Sequence, residues 1–183
     1  MESPIPPEDQ ELLLDIARKS IESYVTNQTL PATETSRKEL CSMRGCFVTI
    51  TAGGSLRGCI GNFISDKPLY RLVQEMAVSA AVRDPRFYPM QPSDLKSFEL
   101  EISVLSTLRR ISSVEEIEVG THGIYLEKNY SRGVLLPQVA VEYNWDRNTF
   151  LGQTCLKAGL RPNDWEEGAD IYIFSAQIIR EST

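Results

Sequence analysis

The stretch CFVTITAGGSLRGCIGNF, residues 46–63, decides the fold, because it predicts a β-hairpin with alternating side chains. Val48 and Ile50 fall on one face of the first strand and Thr49 on the other. The run Gly53-Gly54-Ser55 supplies the loop, since glycine tolerates the positive φ that short turns require. The hairpin therefore predicts a sheet with one buried face.

The apolar residues of the hairpin set its register, because a one-residue slip would turn every core side chain to the wrong face. The residues predicted to lie on the core side are Val48, Ile50, Leu56, Gly58 and Ile60. A three-residue loop meets this condition and pairs Ala52 with Leu56. Farther from the loop, Thr49 then pairs with Cys59. Arg57 and Cys59 are expected to project together from the opposite face, with about 7 Å between their Cβ atoms.

Two helices are predicted on either side of this hairpin in the chain. The first begins at Pro6-Pro7, whose rings suit a first helical turn, and is followed by a polar loop over residues 27–38. The second opens near Asp66 and stops at Pro85, because the residue before a proline is pushed out of the α region. The alternating segment 97–106 indicates a half-buried strand.

The rest of the chain favours short strands and further helices, with a small lobe expected around residues 107–143. Pro137 can begin a helix, and Gly159 is the expected left-handed cap of another. The segment 171–179 is apolar on both faces and predicts one interior strand. Strands and helices in this order indicate an α+β fold, mainly an antiparallel sheet with packed helices, in a single domain spanning residues 1–183.

Length and composition disfavour several classes of protein. The chain has 183 residues and a net charge of −6, which disfavours non-specific nucleic-acid binding. No apolar run approaches the ~18 residues of a membrane span, and the N-terminus lacks the pattern of a secretory signal, so we expect a cytoplasmic protein. The four cysteines and one histidine lack the spacing of a zinc site, and neither a metal nor a cofactor is predicted.

Cys59 is the first candidate for chemistry, because a cation on the same face, Arg57, could stabilise its thiolate. Gly58 and Gly61 leave room for a ligand or another backbone to approach. His122, the sole histidine, and Glu101 are the candidate acid–base groups, and Glu101 could also meet Arg57 if their strands are neighbours. A packed cysteine, a turn histidine and an ordinary surface ion pair are the plainer interpretations.

Two alternative functions do not involve catalysis. Arg57, Arg86 and Lys157 could recognise an anionic ligand or a partner, although Lys157 also suits the end of its helix and Asp84 suits a turn. The run Gly58-Cys59-Ile60-Gly61 matches the G-x-x-G pattern of nucleic-acid-binding KH domains, but that loop joins two helices. We therefore rank an enzyme first, a binding module second and nucleic-acid binding third.

Six blocks of sequence, in order, resemble the AMMECR-one domain family. The first is the hallmark LRGCIG at residues 56–61. The others are Asp84 with Arg86-Phe87, EISVLS at 101–106, His122-Gly123, LLPQV at 135–139 with Gln138, and KAGL at 157–160 followed by Trp165. Ordered blocks are more specific than any single motif, and they cover most of the chain.

This resemblance implies a larger lobe built from both chain ends and a smaller central lobe, with LRGCIG near the groove between them. The family that the sequence resembles has no established biochemical activity. Relatives are reported to be fused to, or encoded beside, a Memo-like protein and a radical-SAM enzyme, which implies a shared pathway and possible partners. The resemblance adds Gln138 to the candidate ligand-binding residues.

Overall fold

The computed structural model describes residues 3–181 and divides into two compact units. The first unit comprises Met1–Leu105 and Gln177–Thr183, and the second Ser106–Ala176. The larger unit is thus built from both chain ends, as the resemblance implies, and the α+β class is confirmed. The segment 107–143, expected to form a small lobe, lies within the second unit.

Four α-helices and eight strands, with three short 3-10 helices, make up the regular structure of the described residues. In chain order the α-helices and strands are α1 (Pro7–Asn27), β1 (Cys46–Ala52), β2 (Ser55–Asn62), α2 (Leu69–Val82), β3 (Glu99–Leu105), β4 (Arg109–Arg110), β5 (Gly123–Lys128), β6 (Ser131–Leu135), α3 (Pro137–Glu142), α4 (Arg147–Lys157), β7 (Asp170–Phe174) and β8 (Ala176–Arg180). Prolines begin α1 and α3 as predicted, and Gly159, at φ 77°, follows the end of α4.

The sheet of the first unit has the strand order β2-β1-β3-β8, so β2 lies at its edge. Val48 and Ile50 of β1 are fully buried, together with Ile102 of β3. These side chains form one core with apolar residues of α1 and α2. The predicted core face of the hairpin is therefore correct for β1.

Gly58 explains how closely α2 can approach the sheet. A Cβ atom at this position would lie 2.1 Å from the carbonyl oxygen of Ala80 in α2, a distance that no side chain can adopt. The glycine therefore lets the backbone of the helix touch the backbone of β2, and it lies on the predicted core side.

The hairpin register is partly as predicted. Thr49 faces Cys59 and Val48 faces Ile60, but Thr51 faces Leu56 and a β-bulge lies between Ile50 and Thr51. Gly53 and Gly54, at φ 56° and 76°, form a two-residue turn, because a positive φ at both central positions matches the twist of a hairpin. The predicted three-residue loop and the pairing of Ala52 with Leu56 are wrong.

The bulge also changes where two side chains lie. Arg57 is the extra residue of β2, opposed by no residue of β1, and the alternation of faces shifts by one beyond it. Leu56, predicted on the core side, is therefore 44% exposed. The bulge moves Arg57 out of the regular alternation that would have placed it beside Cys59.

The second unit contains its own sheet, in the order β4-β7-β5-β6, and its own core. Phe150, Leu151 and Cys155 of α4 are fully buried there against the sheet. The prediction of one interior strand over residues 171–179 is wrong. The chain leaves β7 at Phe174 and enters β8 at Ala176, so the apolar run is shared between two different sheets.

None of the helices within residues 3–181 has the length and apolar character that crossing a membrane requires.

Candidate functional site

The thiol of Cys59 lies on the face of the first sheet opposite its helices. Thr49 is its direct cross-strand neighbour, and the Thr49 hydroxyl donates a hydrogen bond to the sulfur at 3.2 Å. Glu101 of β3 is the neighbour of Thr49 on the other side. Since directly opposed residues of antiparallel strands point to the same face, Cys59, Thr49 and Glu101 lie side by side.

The backbone of Cys59 is held from the open edge of the sheet by the segment that follows α2. Its N–H donates to Asp84 Oδ2 at 2.9 Å, and its carbonyl accepts from Arg86 Nη2 at 3.3 Å. Both backbone groups therefore point away from β1, as expected for a pair that exchanges no hydrogen bonds with its partner. Side chains approach most closely in such pairs, which accounts for the contact between Thr49 and Cys59.

Asp84 is the buried centre of this arrangement. Its carboxylate accepts from Arg86 Nε and Nη2 at 3.0 and 2.7 Å and from the Arg86 backbone N–H at 3.1 Å. The hydrogen bonds from the Arg86 guanidinium, followed by the N–H groups of Cys59 and Arg86, hold the pKa of Asp84 well below its ordinary value, although burial opposes this. Asp84 and Arg86 form what we call the edge clamp.

The edge clamp has a structural role of its own. An edge strand presents unpaired N–H and C=O groups that can pair with another chain, and proteins protect such edges with charged side chains. Here one carboxylate and one guanidinium occupy the two positions that a further strand would take beside Cys59. The clamp also fixes the backbone of the residue that carries the thiol.

Arg57 makes its polar contacts with the same segment rather than with Cys59. Nη2 donates to the carbonyl of Tyr88 at 2.7 Å and lies 3.7 Å from Asp94 Oδ2. Nη1 is buried, with no hydrogen-bond partner among the described residues. The predicted role of Arg57 beside the thiol therefore has no direct contact to support it, and Arg86 is the guanidinium bonded at Cys59.

Glu101 does not meet Arg57, because β1 separates their strands. Its carboxylate accepts instead from Arg180 Nε at 2.7 Å. Glu101 retains its place two strands from Cys59 on the same face, about 10 Å away between backbones.

The remaining candidates, His122, Gln138 and Lys157, belong to the second unit. His122 accepts a hydrogen bond from the Glu118 N–H through Nδ1 at 3.1 Å. Gln138 on α3 and Lys157 at the end of α4 are exposed.

The four cysteines differ in environment. Cys46 and Cys155 are fully buried, and burial raises the pKa of each thiol. Cys41 is half-buried like Cys59, but its sulfur donates to the carbonyl of Thr35 at 3.2 Å, whereas that of Cys59 accepts. Within residues 3–181, no three histidine, cysteine or carboxylate side chains are grouped so that they could hold a metal ion.

A family model described as AMMECR1 matches residues 14–179. The chain belongs to the AMMECR1 family. The family suggested by the six sequence blocks is thereby confirmed.

Relatives of the AMMECR1 chain cover nearly its whole length. It is 43% identical over 175 residues to Protein Mbar_A1807 of Methanosarcina barkeri, covering 91% of this chain and 87% of that one. It is 40% identical over 184 residues to Protein MK0488 of Methanopyrus kandleri, covering 95% and 89%. The crystal structure of uncharacterized protein PH0010 from Pyrococcus horikoshii is similar with a TM-score of 0.86 at 36% identity, covering 97% of this chain and 94% of that one. None of these names states an activity.

Sequence reasoning did not include Asp84 or Thr49 among the candidate site residues of this AMMECR1 chain. Asp84 was interpreted only as a turn residue, yet its place in the block with Arg86-Phe87 was a signal that it accompanies LRGCIG. Thr49 was placed correctly opposite Cys59, and the short distance between the two side chains follows from the alternation of hydrogen-bonded and non-bonded pairs.

Proposed function

We propose that the protein is a cytoplasmic enzyme in which the Cys59 thiolate attacks an electrophilic carbon of a small molecule or of a protein. The observation that carries this proposal is the hydroxyl of Thr49, which donates to the sulfur at 3.2 Å. A sulfur that accepts a hydrogen bond keeps that bond as a thiolate, and the thiolate is the reactive form.

The surroundings of Cys59 support the same proposal. The edge clamp fixes its backbone, so the sulfur is held in one place relative to the face of the sheet. In the proposed step Sγ forms a bond to a carbonyl carbon of the substrate while the C=O π bond breaks, and the carbonyl oxygen takes up a proton from water. The thiol proton passes to water, which can transfer it onward to Glu101. Glu101 lies far enough from Cys59 for a substrate group to fit between them.

Alkylation by iodoacetamide, mapped cysteine by cysteine with mass spectrometry, tests this proposal. We expect Cys59 to react faster than Cys41, which is also half-buried but must keep its proton to bond Thr35. Thr49→Val should slow Cys59 by about two- to tenfold, as expected for one lost hydrogen bond. Cys41 should be unaffected, which makes it an internal control in the same molecule.

An equal rate at Cys59 and Cys41, or no effect of Thr49→Val, would remove the basis for a nucleophilic thiol. Cys59→Ser supplies the matching functional test, because it preserves size and the contact with Thr49. We expect the folded Cys59→Ser variant to be unable to replace the parent protein in cells that require it. Full replacement by this variant would contradict an enzyme that uses Cys59.

A second candidate is a non-catalytic module that binds an anionic ligand or a partner, such as the Memo-like protein or radical-SAM enzyme that the resemblance suggests. It is favoured by Arg86, whose guanidinium is 54% exposed yet held by two hydrogen bonds to Asp84. Arg86→Gln should then weaken capture of a purified Memo-like protein, while Arg83→Gln and Cys59→Ser leave it unchanged. Equal capture by all four proteins would count against this candidate.

A further inference from the structure

The second unit carries an exposed apolar and aromatic surface at the C-terminal end of α3. We define the α3 patch as Val119, Val141, Tyr143 and Trp145. Val119, Val141 and Tyr143 are 37%, 60% and 62% exposed. The turn that contains Val119 lies against α3, because a Cβ atom at Gly120 would be 3.3 Å from the Val141 side chain. The α3 patch therefore draws its exposed residues from two segments of the chain that lie against each other.

Two stacked rings give the α3 patch its shape. The rings of Tyr143 and Trp145 have centroids 5.0 Å apart and planes inclined by 18°. Trp145 is half-buried and packs against the core of the second unit, so it fixes the position of Tyr143. With one face on Trp145 and 62% of its surface exposed, Tyr143 presents its other face to solvent.

Two carboxylate residues are next to residues of the α3 patch in the sequence. Glu118 precedes Val119 and Glu142 precedes Tyr143, and both side chains are exposed. Neither forms an ion pair with any residue between 3 and 181, although thirteen such pairs occur elsewhere in that range. Their charge is therefore available to a cation brought by another molecule.

We propose that the α3 patch binds a basic, amphipathic segment of a partner protein, with an arginine of the partner stacked on Tyr143. A guanidinium over an aromatic face is attracted by the ring, and the two free carboxylates add to that attraction. Aliphatic side chains of the same segment cover Val119 and Val141. Tyrosine and tryptophan are enriched at such interfaces because a large rigid ring loses little conformational entropy on binding.

Tyr130 is an isolated exposed aromatic residue with which the α3 patch can be compared. It lies in the β5–β6 turn and is 103% exposed, but among residues 3–181 it stacks on no other ring. Single exposed apolar residues are normal on protein surfaces, whereas contiguous ones bordered by charge mark interaction sites. Tyr130 therefore serves as the matched control for Tyr143.

The probe is a short fluorescein-labelled peptide of alternating arginine and leucine, with a glutamate–leucine peptide of equal length for comparison. Fluorescence anisotropy measures the affinity, and backbone amide shifts in NMR locate the bound peptide. We expect the arginine peptide to bind the α3 patch, with affinity reduced about tenfold in Tyr143→Ala and about threefold in Glu142→Gln. Tyr130→Ala and Glu167→Gln, which remove a ring and a charge elsewhere, should bind as the parent does.

Several results would overturn the proposal. These are failure of the arginine peptide to bind, equal binding of the glutamate peptide, and equal affinity of the parent and Tyr143→Ala. A loss of affinity as large in Glu167→Gln as in Glu142→Gln would show attraction by net charge alone. Sedimentation of the free protein adds a last check, because a dimer that Tyr143→Ala dissociates would identify the occupant as a second copy. Glu142→Gln does not alter packing, so the test does not depend on the folding of Tyr143→Ala.

Discussion

The carboxylate of Asp84 accepts the backbone N–H of Cys59 at 2.9 Å, across 25 residues of sequence. Arg86, bound to the same carboxylate, donates to the carbonyl of Cys59. A segment outside the sheet thus completes the hydrogen bonding of an edge strand at the residue that carries the candidate nucleophile. Because Asp84 is buried, the loss of its bonds should destabilise the first unit more than the loss of an exposed ion pair.

Asp84→Asn should destabilise the protein by about 1–3 kcal/mol at neutral pH, because it removes the charge-assisted bonds to Arg86. Urea denaturation followed by circular dichroism measures the free energy of unfolding. Asp15→Asn is the matched control, since Asp15 forms an exposed ion pair with Lys19 and should contribute under about 0.5 kcal/mol. Similar losses in the two variants would show that burial of Asp84 adds nothing.

The pH dependence of the Asp84 effect has a defined sign. The pKa of the folded state is depressed, so the contribution of Asp84 is complete above the ordinary aspartate value, near pH ~4. It is lost as the pH falls from there toward the folded pKa. The difference between the parent and Asp84→Asn should therefore shrink between about pH 4 and pH 2, and a difference that grew on acidification would contradict the assignment.

Periodicity predicted the register of the hairpin only as far as Gly58. Thr49 opposite Cys59 and Val48 opposite Ile60 follow from a period of two, but the bulge depends on what Arg57 contacts. Its partners, Tyr88 and Asp94, lie about thirty residues farther along the chain, where local pattern carries no information. The adjacent glycines indicate a two-residue turn. Burial of Leu56 on the core side requires a three-residue loop instead, and the two interpretations conflict.

The edge clamp and the break between β7 and β8 escaped prediction for related reasons. A buried carboxylate that bonds a strand edge looks in sequence like an aspartate before a proline at a helix end. The run 171–179 is apolar because Ile173 and Ile179 serve different cores, and period alone cannot show that a chain changes sheets at Ser175. Family resemblance supplied the lobe organisation that local pattern did not.

Gly58→Ala should be strongly destabilising, by about 2–4 kcal/mol, because the new methyl group would meet the Ala80 carbonyl at 2.1 Å and α2 would have to move. Thermal unfolding monitored by circular dichroism measures the effect. Gly152→Ala provides the contrast: it lies within α4, its nearest contact is 3.4 Å, and alanine should raise stability by up to about 1 kcal/mol. If Gly58→Ala were as stable as the parent, the close contact of α2 with β2 would be wrong.

Arg57→Met should cost about 1 kcal/mol or less. The variant loses the bond to Tyr88 but also relieves the burial of Nη1, which has no partner within residues 3–181. Arg44→Met should cost about 2–4 kcal/mol, because Arg44 is 5% exposed and donates to the carbonyls of Leu105 and Ser3. Guanidine denaturation of the two variants compares them directly. Equal losses of unfolding free energy in the two variants would indicate that Arg57 stabilises the fold. A small loss in Arg57→Met would indicate that Arg57 is present for binding.

Glu116 offers a test in the second unit that uses no unfolding. Its carboxylate accepts from Arg109 Nη1 and from the backbone N–H groups of Ser112 and Ser113, and these bonds, led by that to Arg109, lower its pKa to about 2. Carboxyl carbon shifts followed by NMR from pH 7 to pH 1.5 should show this value, near the acid end of the range. Arg109→Ala should raise the pKa of Glu116, while Arg110→Ala, which removes the neighbouring ion pair to Asp170, should leave the pKa of Glu116 unchanged.

The depressed pKa of Glu116 means that the bonds stabilise the unit above the ordinary glutamate value, near pH ~4.3, and that this contribution declines as the pH falls toward 2. A Glu116 pKa that responded equally to both substitutions would show general charge attraction in place of a specific bond.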